Sequence, residues 1–229
     1  VNGARLDWAE ISAQLDEEGH ALLPGWLGAE AARSLAYGAE TLGAVRVPLA
    51  ASGLGSGDLF CFEAGLPAPL DAWRTSLYPH LAAIVNRWNH TLGVEARYPP
   101  TFTDFLQRNR QAGQTRGQSH LSRLGVDDHL LLHQRNEGEQ VFPLQLVALL
   151  SEPGVDFEGG EFVTTEQRPR MQSRPAVLPL KLGDVALIAT DERPVQGSRG
   201  PYRVRLKHAI GRVRRGERVG LELSFHGAR

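Results

Sequence analysis

Residues 129–150 read HLLLHQRNEGEQVFPLQLVALL, two apolar runs at 129–133 and 141–150 on either side of a polar turn that contains a glycine. Short runs of this kind, bounded by turn formers, read as β-strands. In an extended strand alternate side chains share a face, so His129 and His133 are expected to project together. Downstream the pattern recurs at 161–165, 176–180, 184–190, 202–210 and 218–225, with Gly and Pro between the runs. Upstream the spacing is helical. Asp7 is placed to cap a helix carrying Trp8, Ile11 and Leu15 at three- and four-residue intervals, with Gly19 as its stop. An Ala-rich helix is expected over 29–42, and a longer one over 67–92 with Trp73, Leu77, Ile84 and Trp88 on one face. Pro79 should start or kink the second half of that helix. Residues 101–111 read as a fourth helix and the Gly-rich stretch 50–57 as a surface loop. The expectation is an α+β chain with one domain over 1–229, in which 1–112 is mainly helical support and 113–229 carries strands forming a sandwich or barrel.

Composition narrows the functions. With 41% hydrophobic and 22% charged residues the chain can build a core, which excludes disorder and collagen-like repetition. Lys+Arg 25 against Asp+Glu 26 gives a net charge of −1, so no global field draws it to nucleic acid or an anionic membrane. The only cysteine is Cys61, which excludes an intramolecular disulfide and any thiolate cluster drawn from this chain. No apolar run approaches the roughly 20 residues that span a bilayer, and Asp7 and Glu10 sit where a signal peptide would be basic and then apolar. A cytoplasmic protein with no membrane partner is expected.

From Gly125 onward three histidines fall before the last strand run, His129, His133 and His208. Imidazole suits iron, zinc, copper and nickel, and two histidines with one carboxylate and open positions mark non-haem iron oxygenases. Further residues carry a resemblance. His133-Gln134, Val141-Phe142-Pro143-Leu144-Gln145, Leu150-Ser151-Glu152-Pro153-Gly154 and Gly159-Gly160-Glu161-Phe162 form its first part. The segment from Thr165 through Gln167-Arg168-Pro169-Arg170-Met171 to Arg174, and Arg193-Pro194-Val195-Gln196-Gly197, extend it. So do Leu77-Tyr78-Pro79 and Asn86-Arg87-Trp88-Asn89 in the helical half. Together they resemble the prolyl-hydroxylase-like 2-oxoglutarate/iron(II) oxygenases, in the bacterial branch described as acting on damaged nucleic acid. The resemblance implies a double-stranded β-helix, a jelly-roll barrel buttressed by the N-terminal helices. It implies Fe(II) and 2-oxoglutarate as cofactors, His133 and His208 as metal ligands, and Arg218 as the partner of the keto acid's distal carboxylate. A guanidinium suits that last role because its planar fork pairs bidentately with a carboxylate. Arg212 and Arg214 are fallback candidates.

The chain departs from the family's His-x-Asp motif, because Arg135 follows His133-Gln134 where an aspartate is expected. His129 stands where relatives carry a tyrosine. Four outcomes are open: Glu137 or Glu139 swings back as the carboxylate while Arg135 points outward; His129 completes a three-histidine face; the third position stays vacant for water, halide or substrate; or the metal is lost and Arg135 forms a salt bridge. The reading is therefore an oxygenase that hydroxylates or oxidatively demethylates its substrate at an atypical metal site. The alternative is a degenerate oxygenase fold that binds a small carboxylate ligand at Arg218. Small molecule, peptide and nucleobase remain open as substrates. The basic tract from Arg203 to Arg218 alternates charge with apolar residues and is expected to show a solvated or anion-facing side. Glu161 and Glu166 read as structural, and His20, His80, His90, His120 and His226 receive no role.

Overall fold

The computed structural model describes residues 6–38 and 43–229. In chain order the elements are α1 (Trp8–Glu18), β1 (His20–Leu23), α2 (Ala29–Gly38), β2 (Val45–Pro48), a 3-10 turn (Leu49–Ser52), β3 (Gly55–Ser56), β4 (Asp58–Cys61), α3 (Ala68–Thr91) and α4 (Phe102–Gln111). Eleven strands follow: β5 (His120–Leu124), β6 (His129–His133), β7 (Leu144–Leu149), β8 (Phe157–Gly159), β9 (Phe162–Gln167), β10 (Arg174–Leu178), β11 (Val185–Ala189), β12 (Glu192–Gly197), β13 (Gly200–Ile210), β14 (Val213–Gly216) and β15 (Arg218–Leu223). One sheet has seven strands in the order β1-β11-β7-β15-β5-β4-β2. The other runs β10-β9-β13-β6-β3, with β12 also paired to β13. The two sheets face each other as the double-stranded β-helix, and the pairs between named strands are antiparallel.

The large sheet is buried on both faces, which explains why its central strands read as continuous apolar runs. Val185, Leu187 and Ala189 of β11, Leu144, Leu146 and Ala148 of β7, and Val219, Leu221 and Leu223 of β15 pack in one cluster with the helices. Their alternates Ala186, Ile188, Val147 and Leu149 pack inside the barrel with Leu130, Phe162 and Ile210. Strand alternation thus sorts each sequence into a helix-facing and a barrel-facing set. On β15 the barrel-facing set is Arg218, Gly220 and Glu222, all polar or lacking a side chain.

The helices form as expected. The Asp7 carboxylate accepts from the backbone N–H of Ala9 at 3.0 Å and Glu10 at 3.1 Å, and Gly19 leaves α1 at a φ of +74°. The glycine also permits close packing, since a Cβ there would lie 2.5 Å from Leu206 Cδ2. Thr101 caps α4 by accepting from Asp104 N at 3.2 Å. The expected helix over 29–42 is seen as far as Gly38; residues 39–42 lie outside the described residues. α3 continues through Pro79, which neither starts nor ends a segment of it. Tyr78 of α3 stacks on Phe105 and meets Phe142 and Phe225, so α3 and α4 anchor the segments leading into β7 and out of β15.

Two expectations are corrected here. The first 112 residues are not only helical, because β1, β2 and β4 extend the large sheet and β3 joins the small one. These strands have four residues or fewer, too short to show a period in sequence. The expected loop 50–57 also contains β3, whose Gly55 and Ser56 pair with Leu130 and His129.

Candidate metal centre

Two cross-strand pairs, one from each sheet, face each other at one end of the barrel. On the small sheet β6 and β13 place His133 directly opposite His208. On the large sheet β5 and β15 place His120 directly opposite Glu222. The ring centroids of His133 and His208 are 4.3 Å apart, and His208 stacks on Phe162 at 5.8 Å. Ligand atoms of His133, His208 and Glu222 all lie within 4.8 Å of one another, and all three residues are buried. Glu222 Oε2 is 3.6 Å from His208 Nε2 and 3.7 Å from both His120 Nε2 and Arg135 Nη2. Gln145, on the neighbouring strand β7, donates to the same oxygen at 3.0 Å.

Hydrogen bonds fix which ring nitrogens face the chamber. His133 Nδ1 lies 2.9 Å from the Leu131 carbonyl oxygen, which only accepts, so Nδ1 carries the proton and Nε2 offers a lone pair. A metal-ligating imidazole is set in the same way, its far N–H held by a carbonyl. His120 repeats the arrangement with the Gln118 carbonyl at 3.0 Å. His226 is reversed. Its Nδ1 accepts from the Phe142 N–H at 3.2 Å, which leaves an Nε2–H as donor.

Electrostatics give the chamber one permanent charge pair. Burial lowers His133 to about 4, helped by His208, and lowers His120 as well. Burial also opposes charge on Glu222, but the surrounding His120 and His208 imidazoles and the Arg135 guanidinium hold its carboxyl well below the ordinary range. Nε2 of His133 and His208, Glu222 Oε1 and Arg135 Nη2 are nevertheless buried without a hydrogen-bond partner. Each such orphan costs on the order of 1–3 kcal/mol if it stays unsatisfied. His133 Nε2, a Glu222 carboxylate oxygen and the His208 ring, both of whose nitrogens are unpaired, converge as a donor set that suits a divalent cation.

Arg218 lies on the same face of β15, four residues before Glu222. It is 2% exposed, its Nε donates to the Gly160 carbonyl at 2.8 Å, and its Nη1 is buried and unpaired. Burial lowers it to about 10, so it remains a cation at neutral pH. The space between Arg218 and Glu222, walled by Ser122, Val147, Phe162, Leu180 and Ile210, measures about 10 Å³.

The expected pair His133 and His208 is thus brought together, and Arg218 faces the barrel, whereas the fallbacks Arg212 and Arg214 are surface residues paired with Asp127 and Glu161. The proposed sources of a third ligand are corrected. Glu137 and Glu139 are exposed, Glu139 lying 3.7 Å from Arg229. His129 does not share the chamber with His133, because β6 bulges: His208 pairs with His133 and Ile210 with Leu130, so Leu131 and Leu132 oppose Ala209 alone. A bulge breaks strand parity, and His129 sits instead beside Ser56 Oγ at 3.3 Å. Arg135 points inward, its side chain 15% exposed, rather than outward. Glu222, His120 and Gln145 were missed, although one signal for Glu222 was available, since it shares parity with Arg218.

Comparison with known proteins places these observations. A family profile described as "Oxygenase, catalysing oxidative methylation of damaged DNA" matches residues 57–228. Two uncharacterized proteins of Mycobacterium tuberculosis, from strains CDC 1551 and H37Rv, are each 40% identical over 167 residues, 73% of this chain and 72% of theirs. Among solved structures, a Pseudomonas putida prolyl-4-hydroxylase superposes with a TM-score of 0.55 at 14% identity, covering 97% of this chain and 99% of the other. A 2OG-Fe(II) family oxidoreductase from Burkholderia pseudomallei gives 0.55 at 20%, covering 98% and 94%. At those identities the structural likeness carries the fold alone.

Proposed function

The chain belongs to the oxygenase family whose description names damaged DNA, and from that premise we propose that it is an iron(II)-dependent oxygenase of the 2-oxoglutarate class with metal ligands His133, His208 and Glu222. The observation that carries this reading is the convergence of buried, unpartnered acceptors on those three residues. They fit the ion: two imidazoles and one carboxylate is a donor set of non-haem iron. The carboxylate that the family motif would place at position 135, beyond the end of β6, is supplied in this reading from across the barrel, by Glu222 of β15. Iron bound there supplies the redox chemistry for oxidising a C–H bond with dioxygen. The protein binds, orients and excludes water. The Leu131 carbonyl fixes the His133 ring, Gln145 holds the Glu222 carboxylate, and Leu130, Phe162 and Ile210 form the dry wall behind them.

Arg218 offers a buried, unpaired Nη1 for a carboxylate. Only about 10 Å³ lies enclosed between it and Glu222, whereas an open cavity of about 410 Å³ is lined by Arg218 together with Gly160, Phe162, Leu178 and Leu180. The outcome at the substrate is hydroxylation, or demethylation where the oxidised carbon is bonded to nitrogen. For the substrate, the family description favours a damaged nucleobase. Arg203 and Arg205 are paired with Glu192, Arg212 with Asp127, Arg214 with Glu161 and Arg215 with Glu158. Those pairs leave little free charge in the basic tract for phosphate contacts, which favours a small or single-stranded substrate over a duplex. Among the described residues no helix is long and apolar enough to cross a membrane.

A second reading has its own observation. Arg135 Nη2 lies 3.7 Å from Glu222 and gives that carboxylate a counter-ion without any metal, as a non-catalytic binding protein would need. Anaerobic titration of metal-free protein with iron(II) separates the two. Uptake of one ion that is lost in His133→Ala supports the oxygenase, whereas no uptake by the folded wild type leaves the binding protein.

A further inference from the structure

We infer that the cavity between α3, α4 and the segments 114–119 and 225–227 is a phosphate subsite, in which Arg74, Arg110 and Arg116 hold the phosphate group of a nucleotide or of a single nucleic-acid strand. The inference rests on the reading above for its ligand class, and it stands apart from the metal assignment. The cavity measures about 200 Å³. Sites that enclose a whole small molecule run to roughly 300–1,000 Å³, so this one suits a single group of a larger ligand.

Three segments bring the guanidiniums to the cavity: Arg74 comes from α3, Arg110 from the last turn of α4 and Arg116 from the link into β5. Arg74 donates from Nη2 to Asp71 at 2.9 Å and lies 4.7 Å over the Phe102 ring, but its Nε is buried without a partner. Arg110 is exposed and makes no ion pair among the described residues. Arg116 is 3.6 Å from Glu63, with both side chains partly exposed, and a solvent-facing pair of that kind is weak. The cavity is thus lined by three guanidiniums and one carboxylate, that of Glu63. A phosphate can accept from several guanidinium N–H groups at once. The C-terminal tract is the contrast, because Arg203, Arg205, Arg212, Arg214 and Arg215 each have an acidic partner. The run of basic residues that stands out in sequence is neutralised, whereas the scattered positions 74, 110 and 116 keep a surplus.

The walls are fixed before any ligand arrives. Phe62 N–H donates to the Ser119 carbonyl at 3.0 Å, and the backbones of Arg116 and Ala228 exchange bonds of 3.0 and 2.8 Å. A Cβ at Gly117 would strike the Phe62 carbonyl, so only glycine permits that approach. The Gln114 side chain donates to the Gly227 carbonyl at 2.7 Å and accepts from Gln140 N–H at 2.7 Å. A site held in this way loses little freedom on binding. Its place ties it to the candidate metal ligands, since Ser119 of its wall precedes His120 and His226 follows Glu222 by four residues.

The test uses the whole metal-free chain, titrated with inorganic phosphate, with a 5′-mononucleotide and its unphosphorylated nucleoside, and with a labelled single-stranded DNA oligonucleotide at several salt concentrations. Arg110→Gln and Arg116→Gln alter exposed side chains and leave the packed Arg74 in place. Each is expected to weaken phosphate-bearing ligands about tenfold or more and to leave nucleoside binding unchanged. With the oligonucleotide, each should also reduce the slope of log affinity against log salt by about 0.7. Arg203→Gln, in the paired tract, should alter neither quantity. Arginine-dependent binding of the mononucleotide alone identifies a free nucleotide as the source of the phosphate, and the same dependence with the oligonucleotide identifies a strand. No binding of any phosphate-bearing ligand by the wild type, or binding that Arg110→Gln and Arg116→Gln leave intact or that Arg203→Gln weakens equally, overturns the inference. Failure of the oxygenase reading looks different: the wild type takes up no iron(II), while the arginine-dependent phosphate binding is still present.

Discussion

The two sheets contribute unequally to what a sequence can disclose. On the small sheet, His133 and His208 lie in strands whose patterns are plain, and they pair in register as neighbours. On the large sheet, Glu222 and His120 also pair in register, but Glu222 sits in the run Val219-Gly220-Leu221-Glu222-Leu223, which reads as structural. A strand buried on both faces hides which of its residues look into the barrel. The small sheet presents the two candidate histidine ligands, whereas the large sheet brings the carboxylate of Glu222 up to them.

That contrast can be tested from its strongest consequence downward. His133→Ala and His208→Ala should each weaken iron(II) or cobalt(II) binding by about 100-fold or more, since even outer-shell partners of metal ligands cost 10–100-fold. Glu137→Ala and Glu139→Ala should leave the same titration unchanged, and a loss in either would restore the displaced-turn carboxylate. Arg135→Ala leaves Glu222 as a buried charge without its cation, which should destabilise the metal-free protein by about 3–5 kcal/mol. Added divalent metal should recover that stability through binding to the folded state. Thermal unfolding with and without metal measures both, and an unshifted midpoint would mean that the pair is idle.

Acid should act next. His226, pushed to about 4 by burial with Arg135 adding to the effect, is neutral in the folded state where the unfolded residue near 6.5 gains a proton. The unfolded chain therefore binds more protons, so stability falls as pH drops from about 6.5 toward 4, by on the order of 1–3 kcal/mol. His226→Asn, which can still accept from Phe142 N–H, should flatten that slope in pH-dependent denaturant titrations; an unaltered slope would place the proton uptake elsewhere. Gln145→Leu, which frees the Glu222 carboxylate, should weaken metal by about tenfold. His129→Ala should change metal affinity hardly at all, and a large loss would contradict the bulge that removes it from the chamber.

Much of the fold was legible because its signals are local. Asp7 and Thr101 as caps, Gly19 as a stop, and strands near 129–133, 184–190 and 202–210 follow from short-range periodicity and turn chemistry. The resemblance carried His133, His208 and Arg218. What failed required information from outside a single element. The bulge in β6 invalidated the parity that joined His129 to His133, and the strands β1 to β4, of four residues or fewer, were too short to announce themselves. The candidate third ligand lay out of reach because a carboxylate to replace the one expected at position 135 was sought nearby in sequence, at Glu137 and Glu139. Across the barrel, Glu222 is far in the chain and near in space. Arg135 then has a physical place as the partner of that relocated charge.

The most direct measurement is a crystal structure of the protein grown anaerobically with iron(II), the ion located by anomalous scattering at the iron edge. One ion is expected at bonding distance, about 2.0–2.2 Å, from His133 Nε2, His208 Nε2 and a carboxylate oxygen of Glu222, with Gln145 retained on the carboxylate. An ion held instead by Glu137 or Glu139, or no ion and Arg135 closed onto Glu222, would contradict it.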